Sequence, residues 1–314
     1  MPRPAIVVVG SSNADMIVKA GRIPKPGETV LGGTFVLAAG GKGANQAVAA
    51  SRAGGKVTFV GRVGRDGLGD QAVRGLARDG IGLEFVVRDK ARSSGVALIV
   101  VGAAGENSIA VAPGANAALS AADIRKAARA LDGAALTLLQ LEVPLAAVAA
   151  AADLAAKKKV RIILNPAPAR PLPRALLRKI SILTPNEAEA ERLTGIKVGS
   201  DAAAAKAARV LRSAGVETVI ITRGARGAFV AAPGFAGPVP GFKVKAVDTT
   251  AAGDVFNGAL AVAVGEGRAL REAVRFAHAA AAISVTRMGA QPSAPRRAEI
   301  DEFLRKRSQE VRHG

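Results

Sequence analysis

Short apolar runs rich in β-branched residues alternate along this chain with alanine-rich runs of helical length. That alternation restricts the fold more than any other feature. Strands are expected at Ala5–Val9, Val57–Gly61, Leu136–Leu141, Val160–Leu164, Ile180–Leu183 and Thr218–Thr222. Helices are expected at Ala44–Ala53, closed by Gly54 and Gly55, and at Ala202–Ala214, with Ser200 or Asp201 as N-cap and Gly215 at its end. Strand–helix succession of this kind predicts a parallel sheet covered by helices. The chain has 314 residues, 49% of them apolar, enough for one large α/β domain or two ordinary ones.

Two segments break the alternation. Asp15–Leu37 holds two short runs around the turn-like Pro24-Lys25-Pro26-Gly27, and Gly95–Ala112 holds Val96–Val101 and Ser108–Ala112 around Gly102-Ala103-Ala104-Gly105. Neither leaves room for a crossover helix, so both read as hairpins. They predict a small separate sheet over residues 13–37 and 95–112, beside an α/β domain made of residues 1–12, 38–94 and 113–314. Lids are often built this way.

The apolar strands run into polar residues. Val9 leads to Asn13 and Asp15, Leu141 to Glu142, Leu164 to Asn165, Leu183 to Asn186 and Glu189, and Thr222 to Arg223 and Gly224. Open α/β sheets bind ligands beyond the carboxyl ends of their strands, so that rim is the expected site. The chain has only seven asparagines, and several stand at these ends or in glycine-rich turns, although asparagine also suits turns for its own sake.

Asp248-Thr249-Thr250-Ala251-Ala252-Gly253-Asp254 precedes a helix-forming run, Val255–Val264. A helix N-terminus offers unpaired N–H groups and the positive end of a dipole, and small residues let a phosphate approach them. A carboxylate placed there repels an anion unless it has work to do, such as taking a proton from an attacking hydroxyl. The segment therefore reads as a phosphoryl-transfer site.

Other signals are weaker. Gly40-Gly41-Lys42-Gly43-Ala44-Asn45-Gln46 opens a helix, but Lys42 is followed by glycine, so it is not a Walker A loop. Gly10-Ser11-Ser12 after the first strand is not a dinucleotide fingerprint. Gly224-Ala225-Arg226-Gly227 reads equally as a hairpin turn, and His278, in an alanine-rich helix, chiefly as packing.

Absence of cysteine excludes disulfides and thiolate chemistry, and two histidines make a histidine-rich metal site improbable. No apolar stretch reaches membrane-spanning length, so a soluble, cytoplasmic protein is the default expectation. The net charge of +19 raises nucleic acid as a partner. Against it, the basic residues are spread out, the longest basic run is Lys157–Lys159, and aromatics are only 3%, too few for base-stacking platforms. A basic field still favours an anionic substrate.

Together these residues resemble the ribokinase family of carbohydrate kinases. The similarity spans about Ala5–Phe303 and rests chiefly on Gly40–Asn45 and Asp248–Asp254. Supporting stretches are Ser12-Asn13-Ala14-Asp15, Gly114–Leu119, Asn165–Ala169 and Phe276–Ala280. The resemblance implies a three-layer α/β/α domain, a β-sheet lid that pairs two subunits into a homodimer, and ATP-dependent phosphorylation of the primary 5-hydroxyl of a sugar such as D-ribose. Deoxyribose, fructose or a nucleoside as acceptor, or a non-catalytic sugar-binding role, are the alternatives. It implies that Asp254 is the base and that the N–H groups of Ala251, Ala252 and Gly253 stabilise the transferring phosphoryl. Asn13, Asp15, Gly41, Lys42, Asn45, Glu142 and Asp254 would hold the sugar, and Asn186, Thr222, Gly224, Gly227, Gly253 and His278 the ATP. Asn186 and Glu189 would organise Mg²⁺ through water. A potassium ion would sit near Asp248, Thr250, Ser284, Arg287, Gly289 and Ser293, partly on backbone carbonyls.

Overall fold

The computed structural model describes residues 3–313. Among them, nine strands form one sheet in the spatial order Phe235–Val239, Ala228–Ala232, Thr218–Thr222, Ile182–Leu183, Arg161–Leu164, Leu136–Leu139, Ala5–Val9, Lys56–Gly64 and Gly82–Asp89. From Thr218–Thr222 onward every neighbouring pair is parallel, and the two strands at the other edge add as antiparallel hairpins.

Alternation along the central strands sends side chains into two cores. Ile6, Val8, Leu136, Leu138 and Ile163 pack on one face with the helices Lys42–Arg52, Ala252–Gly265 and Leu270–Ser284. Val7, Val9, Leu139, Ile162 and Leu164 pack on the other with Leu145–Lys157 and Asp201–Ser213. Strands covered on both faces lose their polar positions, which is why they read as continuous apolar runs. Each fully buried Leu or Ile contributes roughly 1.5–3 kcal/mol. The result is the expected three-layer α/β/α domain.

All six expected strands are present, with ends shifted by a few residues. The chain leaves the sheet after Leu139 rather than Leu141, and only Ile182 and Leu183 of the run Ile180–Leu183 pair. Ser200 is the N-cap of the Asp201 helix, its hydroxyl accepting from the Ala203 N–H. Three strands were not anticipated. Ala228–Ala232 is alanine-rich, Phe235–Val239 contains Gly237 and Pro238, and Gly82–Asp89 is an edge strand of mixed polarity. Proline is tolerated in Phe235–Val239 because that strand lies at the sheet edge.

A second sheet has the order Thr34–Gly40, Asn13–Lys19, Gly95–Val101, Asn107–Ala112. Both anticipated hairpins form, and Asn13–Lys19 joins them by pairing in parallel with Gly95–Val101. Ala97, Ile99, Ile109 and Val111 face a cavity at the main sheet's rim. By strand alternation, Leu37, Phe35 and Leu98 lie on the opposite face, where Phe35 is 60% and Leu98 54% exposed.

The Lys42 and Ala252 helices meet at Gly258. A Cβ there would lie 2.6 Å from Ala49 Cβ and 2.7 Å from the Ala50 nitrogen. Alanine gains up to about 1 kcal/mol over glycine in a helix interior, while overpacking typically costs ~1–3 kcal/mol. The contact distance makes the second effect win. Gly258→Ala is expected to lower the denaturant midpoint with an unchanged m value; a variant as stable as the parent would show that the helices are not in contact there.

Candidate functional site

The rim cavity, about 350 Å³, opens where the parallel strands end and the second sheet begins. It collects Asn13, Asp15, Gly41, Lys42, Asn45, Glu142, Asn186, Glu189, Thr222, Thr250, Ala251, Ala252, Gly253 and Asp254, all anticipated as site residues. Asn165, Thr184 and Asn257 complete much of the polar wall.

Asp254 occupies the first turn of the helix Ala252–Gly265 and is 5% exposed. Its two oxygens are held by neutral amides: Asn45 Nδ2 donates to Oδ2 at 3.1 Å and Gln46 Nε2 to Oδ1 at 2.9 Å. Gln46 Nε2 also donates to Asn165 Oδ1 at 3.0 Å, and Gln46 Oε1 accepts from Gln140 Nε2 at 2.7 Å. The chain of bonds continues. Asn165 Nδ2 donates to the Thr184 carbonyl at 3.1 Å, Thr184 Oγ1 bonds Asn257 Oδ1 at 2.6 Å, and Asn257 Nδ2 donates to the Gly253 carbonyl at 2.8 Å. One buried network thus fixes both the carboxylate and the turn beneath it. Burial pushes the Asp254 carboxyl above its ordinary range, and Lys42, Gln46 and Asn45 pull it back part of the way.

The helix N-terminus is shaped for an anion. Ala251, its N-cap, has φ of 58°, a left-handed conformation that costs an alanine about 1–2 kcal/mol. The first intrahelical bond is Val255 N–H to Ala251 O, so the Gly253 and Asp254 N–H groups lack a helical acceptor. The Ala252 N–H makes only a long turn bond, 3.3 Å, to Thr249 O.

Opposite stand the groups suited to hydroxyls. Gly41, with φ of 88°, lets the helix start pass within contact of the Ser12–Asn13 backbone. Glu142 Oε2 accepts from Ser11 Oγ at 2.6 Å and from the Lys42 N–H at 2.8 Å, leaving Oε1 for a ligand. Asn116 Nδ2 donates to Asn13 Oδ1 at 2.7 Å, which leaves the Asn13 amide nitrogen as a donor. Asn45 Oδ1 is buried without a partner, an acceptor awaiting a hydroxyl. Burial, then the charges of Glu142 and Asp254, push Asp15 up to about 6. Lys42 is the one cation among these acids. Burial lowers its pKa, but Asp254, Glu142 and Glu189 outweigh that and raise it.

Asn186 and Glu189 form a reciprocal capping box on the helix Glu187–Thr194, with both bonds at 2.8 Å. The box leaves Glu189 Oε1 free, and burial raises this carboxyl. Asp248 bridges two segments, accepting from the Thr250 N–H and the Gly289 N–H, each at 2.8 Å. Burial would raise its pKa, but these bonds win and lower it. Ser284 and Ser293 hydroxyls bond Ala281 and Ala290 carbonyls, and Arg287 pairs with Glu299. All these groups are oxygen donors except the Arg287 side chain, so any ion contact there falls to its carbonyl.

Gly224, Gly227, Asp248, Ser284, Arg287, Gly289, Ser293 and His278 lie outside the cavity lining. Gly224–Arg226 is the turn between Thr218–Thr222 and Ala228–Ala232, immediately after Thr222. His278 packs against Phe256 at 5.0 Å between centroids; burial lowers it to about 4, and its Nε2 has no partner. Sequence reasoning missed Gln140 and Thr184 and assigned no role to Gln46, Asn116, Asn165 or Asn257. Their partners lie as far as 208 residues away in sequence, so no local signal gives their contacts.

Asp15 also links the site to stability. Its folded pKa, about 6, exceeds the ordinary 3.8, so folding favours the protonated form and stability falls as pH rises between those values. Asp15→Asn is expected to be more stable than the parent above pH ~6, with the difference vanishing below pH ~4. Denaturation midpoints across that range check it; a pH-independent difference would contradict the shift.

The profile described as pfkB family carbohydrate kinase matches residues 3–297. A ribokinase from Haemophilus influenzae is 46% identical over 302 residues, covering 96% of this chain and 99% of that one. A ribokinase crystal structure from Thermotoga maritima superposes with a TM-score of 0.88 at 40% identity, covering 96% of this chain and 99% of the other. The structure of Arabidopsis thaliana ribokinase complexed with ribose and ATP gives 0.90 at 35% identity, with 96% and 99% covered.

Proposed function

The chain belongs to the pfkB family of carbohydrate kinases, and on that premise we propose that it transfers the γ-phosphoryl group of ATP to the 5-hydroxyl of D-ribose. The observation that carries this reading is Asp254: a buried carboxylate at a helix N-terminus, held on both oxygens by amides, beside groups suited to a polyol. The relatives named ribokinase, and the one solved with ribose and ATP, support the choice of substrates.

The sugar's primary hydroxyl attacks the γ-phosphorus in line, a P–O bond forms, and the bond to the β-phosphate oxygen breaks to release ADP. Asp254 takes the hydroxyl proton. A carboxylate suffices because the transition state is loose and the proton leaves late. Gly253, Ala252 and Ala251 present backbone N–H groups to the charge on the transferring phosphoryl. Asp15, Glu142 and Asn45 accept hydrogen bonds from the ring hydroxyls while Asn13 and Lys42 donate, so analogues lacking a hydroxyl leave buried groups unpaired. Thr222, Asn186, Gly224, Gly227 and His278 are proposed to flank the nucleotide. Magnesium, reached by Asn186 and Glu189 through water, would supply neutralising charge. Potassium, beside Asp248, Thr250 and Gly289 with Ser284, Arg287 and Ser293, would stiffen the turn from behind.

We further propose that the second sheet closes as a lid and pairs with a second copy; the exposed Phe35 and Leu98 face supports this. A cytoplasmic site of action fits a chain in which, among the described residues, no helix is long and apolar enough to cross a membrane.

Asp254→Asn is expected to keep the fold and nucleotide binding while kcat falls by about 10²–10⁴. The check is ADP release with ribose, with and without potassium, for parent and variant. Near-parent turnover by the variant would remove Asp254 from the role of base, and a parent that leaves ribose unphosphorylated would overturn the substrate.

A further inference from the structure

Of the basic residues behind the net charge of +19, only Lys42 lines the catalytic cleft. At the opposite rim of the main sheet, where the strands begin, a cavity of about 410 Å³ is lined by Arg3, Arg52, Arg78, Asp79, Arg296 and Arg297, with Ser51, small residues and no aromatic ring. Two of these arginines are occupied. Arg52 grips Asp79 through two nitrogens, at 2.7 and 3.1 Å, and also donates to the Gln291 and Ala294 carbonyls. Arg297 pairs with Glu266 and Asp301. Arg3, Arg78 and Arg296 form no ion pair among the described residues. Glu299, whose charge Arg296 feels, is already bound by Arg287 and by the Arg296 N–H.

Guanidinium groups are planar forks that match phosphate oxygens in pairs, and several on one concavity repel one another until an anion arrives. The start of the long helix Arg297–His313 lies in the same wall and adds its positive end. The volume exceeds what one orthophosphate needs, and the absence of an aromatic or large apolar wall gives a nucleobase nothing to stack on. We propose that this cavity is a second ligand site, separate from the catalytic cleft, for a compact oligophosphate of the pyrophosphate or tripolyphosphate class. Arg3, Arg78 and Arg296 supply the recognition. Arg52 and Arg297, locked by their carboxylates, shape the floor.

The test is calorimetric titration of the whole protein with inorganic pyrophosphate and with tripolyphosphate. It is done with the catalytic cleft filled by ribose and a non-hydrolysable ATP analogue, at two salt concentrations. The expected result is saturable binding of one anion per chain that weakens with salt and falls at least tenfold in Arg78→Gln/Arg296→Gln. The surface control Arg161→Gln should bind as the parent does, and the double variant should phosphorylate ribose at the parent rate. Binding that vanishes when the cleft is filled would place the anion in the cleft and overturn the proposal. So would equal losses in the control and the double variant, or binding seen only with a duplex DNA probe.

Discussion

The bond from the buried Gln46 amide to Asp254 is the contact on which the site depends. It joins two helices that meet over one face of the sheet. It forms because Gly258 lets those helices approach, and because Gln140, at the end of a central strand, holds the amide from behind. An ionised carboxylate this deep is costly unless every oxygen has a donor. Here neutral amides provide them, and the nearby charge of Lys42 adds to their pull. The same network reaches the Gly253 carbonyl through Asn257, coupling the position of the proposed base to that of the helix's first turn.

The electrostatics of the cavity follow from that arrangement. Four carboxylates, Asp15, Glu142, Glu189 and Asp254, surround one lysine, Lys42. Acids alone would repel a nucleoside triphosphate. In the proposed reaction the N-terminal N–H groups and the cations would supply the counterweight on the phosphate side, while Asp15, Glu142 and Lys42 would face the polyol. A tight division of labour within one cleft explains why so many acids can share it with an anionic substrate.

Much of this was legible from the sequence. Continuous apolar strands, alanine-rich helices and two helix-free segments dictate the layers, and polar residues just past each strand mark the rim. What stayed hidden has physical reasons. Phe235–Val239 carries a proline that only an edge position tolerates. Gln46 and Gln140 sit inside a helix and just past a strand, where an amide carries no local signature; only the folded chain brings them within 2.7 Å. The arginines of the second cavity come from positions 3 to 297, so their convergence exists only in three dimensions.

The most direct measurement is the pH dependence of kcat at saturating ribose, where Asp15 is covered by sugar, in Gln46→Met. Gln46 lowers the Asp254 pKa in the folded protein, so losing its donor should move the acidic limb to higher pH while the alkaline limb stays in place. An acidic limb identical to the parent's would contradict the claim that this amide holds the base.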